Sequence, residues 1–126
     1  MDHTKSTTIK EIFTAEEIAA SATVYSDILS VSQSAGNATI ELVATGDGTA
    51  KVEWVGSLNE DAIVTAFLPV ENTNDIVTAF TKTSGTGGAG KAIYSFETRL
   101  VSRMAIKITE TVGANSVTVT AILAIQ

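Results

Sequence analysis

The chain has 126 residues, no cysteine, a formal charge of −6 and hydrophobic side chains at 44% of its positions. That length supports one hydrophobic core without disulfide or metal help, and the missing thiols exclude cysteine nucleophiles and zinc–thiolate centres. With a pI near 4.6 and eight basic residues scattered from Lys5 to Lys107, no cationic stripe exists to neutralise phosphates, so nucleic acid is not an expected partner.

Taken in chain order, residues 1–8 are polar and read as a mobile arm, and residues 9–126 as one β-sandwich domain. The arm lacks the apolar segment of a secretory leader, and no later apolar run approaches the ~20 residues of a membrane span. A soluble chain without membrane partners is expected. Thr14-Ala15-Glu16-Glu17 has the T-x-x-E order of a capping box and predicts a single helical turn before Ile18. A strand is expected near 23–31. From there alternation dominates. Ile40 and Leu42 oppose Thr39 and Glu41 over 38–44; Val52 and Trp54 oppose Lys51 and Glu53 over 50–56. Strands are expected again at 62–68, 75–81 and 92–97. Met104, Ile106 and Ile108 then oppose Arg103 and Lys107 over 103–109, and Val117, Val119, Ala121, Leu123 and Ile125 form one face of 116–125. A period of two carried by Val, Ile and Thr is the strand signal. Gly36-Asn37, Asp47-Gly48 and Gly113-Ala114-Asn115 separate these runs as hairpin turns would. "IVTAF" occurs at 63–67 and 76–80, which predicts two neighbouring strands, the first ended by Pro69. About eight strands with short turns make an all-β, antiparallel β-sandwich, jelly-roll-like in type.

Several stretches invite a chemical reading. In "SGTGGAGKA" (84–92), Gly85, Gly90 and Lys91 keep P-loop spacing, but Ala92 replaces the magnesium-binding hydroxyl and "AIYSFET" continues as a strand, not a helix. The stretch is a loop. It serves either as a slack connection or, through small residues such as Gly87 and Gly88, as an assembly contact. His3 is the sole histidine and sits in the arm, so a Ser-His-Asp site fails. Glu41, Glu53, Glu97 and Glu110 lie on or beside strands with apolar opposite faces and read as solvated. The loop acids of "NED" (59–61) and "ENTND" (71–75) lack the order of a calcium loop. "NAT" (37–39) matches a glycosylation acceptor only by accident. No cofactor or metal is implied.

Trp54 shares its face with Val52 and Ala50, which favours a core or interface role over a sugar platform. On the last strand, Ile122 and Ala124 make the otherwise polar second face apolar. "IVTAF" and its neighbour behave alike, with Val64, Ala66 and Leu68 opposite Ile63 and Phe67. Strands apolar on both faces predict a surface covered by another chain. Ile122, Ala124, Val64, Leu68, Gly87 and Gly88 are therefore the expected interface residues.

"GDGTAKVEWVGSLNED" resembles the "G-T-A-K-[IV]-E … S-N-D-G" hairpin of small structural proteins encoded by tailed phages and prophages. "IYSFETRLVSRMAIKITETVGANSVTVTAILAIQ" resembles their C-terminal half, with its "I-K-[IV]-T-E-T" and "V-T-V-T-A-x-L" strands. The likeness spans roughly residues 20 to 126 and departs where Leu58 interrupts the Ser-Asn-Asp-Gly turn. It implies a non-enzymatic, multimeric virion protein, a capsid decoration (cement) protein or a tail or fibre part. The implied partners are copies of itself and a capsid or tail protein, and the implied location is the virion, after synthesis in the host cytoplasm. A carbohydrate-binding sandwich is the alternative, and exposure of Trp54 is what would distinguish it.

Overall fold

The computed structural model describes residues 7–31, 36–69, 75–98 and 101–126. Its strands are β1 (Thr8–Ile18), β2 (Thr23–Tyr25), β3 (Leu29–Ser30), β4 (Asn37–Thr45), β5 (Ala50–Ser57), β6 (Leu68–Pro69), β7 (Asp75–Phe80), β8 (Lys91–Glu97), β9 (Arg103–Glu110) and β10 (Val117–Ile125). They build two antiparallel sheets. The first runs β1-β10-β4-β8. In the second, β9 and β5 are central; β2 and β3 share the outer edge of β9, and β6 and β7 share that of β5. Each shared edge is one interrupted strand, so the sandwich has eight strand positions, four to a sheet. Numbered along the chain, the first sheet reads one-eight-three-six and the second two-seven-four-five, the winding of a jelly roll.

The period-two pattern fills the space between the sheets. Ile40, Leu42, Val52, Trp54, Ile106, Ile108, Val119 and Leu123 join one core cluster. Trp54 stacks on Phe96 at 6.5 Å, and Phe80 meets Tyr94 edge-on at 6.3 Å. Each such side chain contributes roughly 1.5–3 kcal/mol by leaving water, and the aromatic pairs add shape to the core.

Three expectations are corrected. Residues 14–17 are not a helical turn; they lie within β1. That strand has register shifts between Glu11 and Phe13 and between Phe13 and Glu16, and Ala15 takes φ +44°. The Ala15 N–H donates to Thr120 Oγ1 at 3.0 Å, so a β-bulge, not a helix, satisfies this backbone. The run 62–68 is not a strand either. Val64–Ala66 is a 3-10 turn and only Leu68–Pro69 pairs, because β7 and β6 together already occupy the edge of β5. The carbonyls of Glu60 and Ala62 accept instead from the Arg103 guanidinium, at 2.7 and 2.9 Å. The second "IVTAF" is strand β7, so the two copies do different jobs.

The third correction concerns the turns. β3–β4, β4–β5 and β9–β10 each connect one sheet to the other, so none of the three glycine turns closes a hairpin. At Asp47-Gly48 the positive φ belongs to Gly46, at +85°. Gly48 is needed for closeness: a Cβ there would lie 2.7 Å from the Asn115 and Ser116 carbonyl oxygens. Two inter-sheet corners thus touch backbone to backbone. Of the polar arm, residues 1–6, including His3, lie outside the described residues, and Thr8 opens β1.

Candidate interaction surfaces

Register decides which side chains share each outer face. On the first sheet, Ile9 lies beside Ala124 and Glu11 beside Ile122. Ile122 also neighbours Glu41, and Ala124 neighbours Thr39; Glu41 in turn neighbours Ile93 of β8. Ile122 and Ala124 are half-buried at the centre of this face, while Ile9 and Ile93 toward its margins are 69% and 64% exposed. The face is therefore apolar and acidic in alternation, with Glu41 and Glu11 on either side of Ile122.

The glycine loop stands at the β8 margin of the same face. Gly87 and Gly88 are exposed, with φ of +79° and +65°. Gly85 bridges Lys91, and the Gly90 N–H donates to the Ser84 carbonyl at 2.8 Å. The loop holds only a distorted 3-10 turn at Thr86–Gly88, and a strand and not an α-helix follows Gly90, so the P-loop spacing has no P-loop geometry behind it. Lys82 pairs with Asp47 and holds its carboxyl below the usual range, tying this loop to the β4–β5 corner. Thr86, Lys91, Ala92, Ile93, Val43 and Glu41 line a shallow groove of about 630 Å³ between loop and sheet.

The second sheet treats its outer face differently. Val55, Ala105 and Phe67 form a small separate core, with Ala62, Val64 and Tyr25 packed against it. The Arg103 guanidinium lies 5.5 Å from the Phe67 ring centre, a cation–π contact that also anchors the loop carbonyls. Val64 is thus half-buried in the chain's own structure. Leu68, at 70% exposure, remains on the surface with Leu58 at 75% and Ile63 at 69%. Of the six expected interface residues, Ile122, Ala124, Gly87 and Gly88 belong to the first sheet and its margin; Val64 and Leu68 belong to the opposite side of the sandwich.

Two of the four carboxylates read as solvated are buried. Glu53 is 8% exposed and Glu110 1%. Glu53 sits on a central strand between Lys107 of β9 and Asp75 of β7. Glu110 closes a corner: its carboxylate accepts from the N–H groups of Ser21, Thr49, Val112 and Gly113 at 2.7–3.1 Å. Those bonds, Thr49's foremost, lower its pKa to about 2. The sequence held a signal, since Glu110 ends an alternating strand two and three residues before the free N–H groups of the Val112-Gly113 turn. It ties together the loops that carry Ser21, Thr49 and Val112-Gly113. Glu41 and Glu97 are exposed as expected. In the 59–61 stretch Asn59 Oδ1 accepts from the Asp61 N–H at 2.9 Å; residues 71–74 lie outside the described residues. Among the described residues no cluster of three His, Asp or Glu side chains is placed to hold a metal, and no helix is long and apolar enough to cross a membrane.

Trp54 is fully buried in the inter-sheet core, so it cannot offer its ring to a sugar. The exposed-tryptophan version of a carbohydrate module is thereby excluded.

Fold and register define an antiparallel jelly-roll sandwich. No family model and no curated protein sequence matches the chain. Similar solved structures include the SPBc2 prophage-derived protein YomS, at 12% identity and TM-score 0.47, covering 94% of this chain and 93% of that one. The infectious bursal disease virus VP2 subviral particle matches at 12% identity and TM-score 0.51, over 95% of this chain and 32% of VP2. A family two carbohydrate esterase from Cellvibrio japonicus matches at 10% identity and TM-score 0.43, over 95% and 33%. This chain spans about a third of the length of VP2. At such identities the likeness is one of fold.

Proposed function

We propose that this chain is a non-enzymatic structural component of a phage virion, a capsid decoration protein or another particle part present in many copies. The observation that carries the reading is the outer face of the first sheet: Ile9 and Ile93 exposed, Ile122 and Ala124 between them on a central strand. A lone sandwich is expected to keep such a face polar. Support for the viral context comes from the resemblance to tailed-phage and prophage structural proteins and from the fold shared with VP2. The proposed contact residues are Ile122, Ala124, Gly87 and Gly88 on this face, with Val64 and Leu68 as a second contact across the sandwich. Burial of apolar area, and not chemistry, would hold the particle together.

The test is mass in solution. Light scattering on the wild type should show an oligomer, or binding to a purified shell. Ile122→Asp should abolish either, because a charge enters a surface that must lose water. Circular dichroism of the variant must stay β-like, which separates dissociation from unfolding. A wild type that is monomeric at high concentration and binds no shell overturns the proposal.

A further inference from the structure

The two edges of the first sheet are built differently. β1 carries two register shifts and the charged residues Lys10, Glu11, Glu16 and Glu17, devices that spoil an edge as a template for another strand. β8 has neither. Its register with β4 runs unbroken from Val43 opposite Lys91 to Asn37 opposite Glu97, with charge only at its two ends. The Ala44 N–H donates to the Gly90 carbonyl and the Thr98 N–H to that of Gly36. This phase turns the peptide groups of Ala92, Tyr94 and Phe96 toward β4 and those of Lys91, Ile93 and Ser95 away from it. Gly85 closes the edge at Lys91. Among the described residues, nothing pairs with the outward peptide groups of Ile93 and Ser95.

We propose that a second copy of this chain adds its own β8 to this edge, antiparallel about a two-fold axis at Tyr94, so that the first sheets of both copies become one continuous sheet. The proposal rests on the multimeric reading above and adds to its face contact a second one, at the edge of the same sheet. Charge order selects the occupant. Lys91 and Glu97 share the outer face at opposite ends of the strand, so antiparallel self-pairing brings each Lys91 toward the Glu97 of the second copy. Parallel pairing would set like charge against like. Ile93 then stands opposite Ser95 of the second copy, and Ser95 opposite its Ile93, with about four main-chain hydrogen bonds around the axis. The glycine loop at Lys91 ends the pairing there and keeps it short.

Ser95→Pro removes an N–H that β4 does not use. Sedimentation equilibrium should show self-association weakened at least about tenfold, with circular dichroism and melting unchanged. Lys91→Glu and Glu97→Lys should each weaken association, and the double exchange should restore it; this charge test decides the matter if the proline variant fails to fold. An oligomer that survives Ser95→Pro and ignores both charge changes overturns the β8 pairing while leaving the multimeric reading intact. A wild type that is monomeric throughout overturns the pairing and leaves only shell binding for the function.

Discussion

The two outer faces of this sandwich solve the same problem in opposite ways. The second sheet turns Val55 and Ala105 outward and folds residues 57–68 back over them, with Phe67 as the plug and Arg103 as the clasp. The first sheet turns Ile122, Ala124 and Ile93 outward, and among the described residues no loop folds back over them as 57–68 does on the second. A self-covered face belongs to the stability of the monomer, whereas a bare one is available to a partner. Substitutions on the two faces should therefore fail in different assays.

The largest effect is expected where the two sheets meet. Glu110→Ala strands four backbone N–H groups, and the melting temperature should fall by on the order of 15 °C. The same residue sets an acid limit. Its folded pKa of about 2 lies below the ordinary 4.5, so its contribution is complete above about pH 4.5 and is lost as pH falls toward 2. A series of melts from pH 6 to 2 should show this decline, and Glu110→Gln should flatten it. Next comes Phe67→Ala on the covered face, expected to cost about 3 kcal/mol in urea titrations while leaving association through the first sheet unchanged. Arg103→Gln should cost about 1–2 kcal/mol by the same measurement, through the loop carbonyls and the Phe67 ring. The smallest effect on stability is expected on the bare face. Ile93→Thr should shift unfolding by less than about 0.5 kcal/mol yet weaken self-association, and a large loss of stability there would erase the contrast between the faces.

How much of this was legible in the sequence differs by element. The strands at 38–44, 50–56, 103–109 and 116–125 were readable because each sends alternate side chains into the inter-sheet core, which sets a period of two. β1 was not, because its bulges shift the phase and leave Thr14 and Glu17 at a helix-capping spacing. The first "IVTAF" failed for a non-local reason: a strand needs a free edge, and no local pattern reports that β7 has taken it. The glycine turns marked where the chain reverses, but not whether it stays in one sheet or crosses to the other. Among the candidate interface residues, Ile122 and Ala124 lie on an outer face. Val64, itself in the 57–68 loop, is half-buried against Val55, Phe67 and Ala105, a packing that no local pattern reports. Glu110 was misread because a carboxylate at a strand end looks solvated until the loops that donate to it are in place.

The winding carries a kinetic consequence. β1 pairs with β10 from Thr8 opposite Ile125 to Ile18 opposite Val117, and every sheet draws strands from both halves of the chain. The first sheet needs strands from Thr8 to Ile125 and the second from Thr23 to Glu110, so no short fragment contains a complete sheet and partial folding offers little stable refuge. Loops of many tens of residues must close before the central pairs form, which places folding in the millisecond-to-second range typical of wound β topologies. During that interval β8 and the alternating strands are unpaired, with their backbone groups open to pairing with other chains.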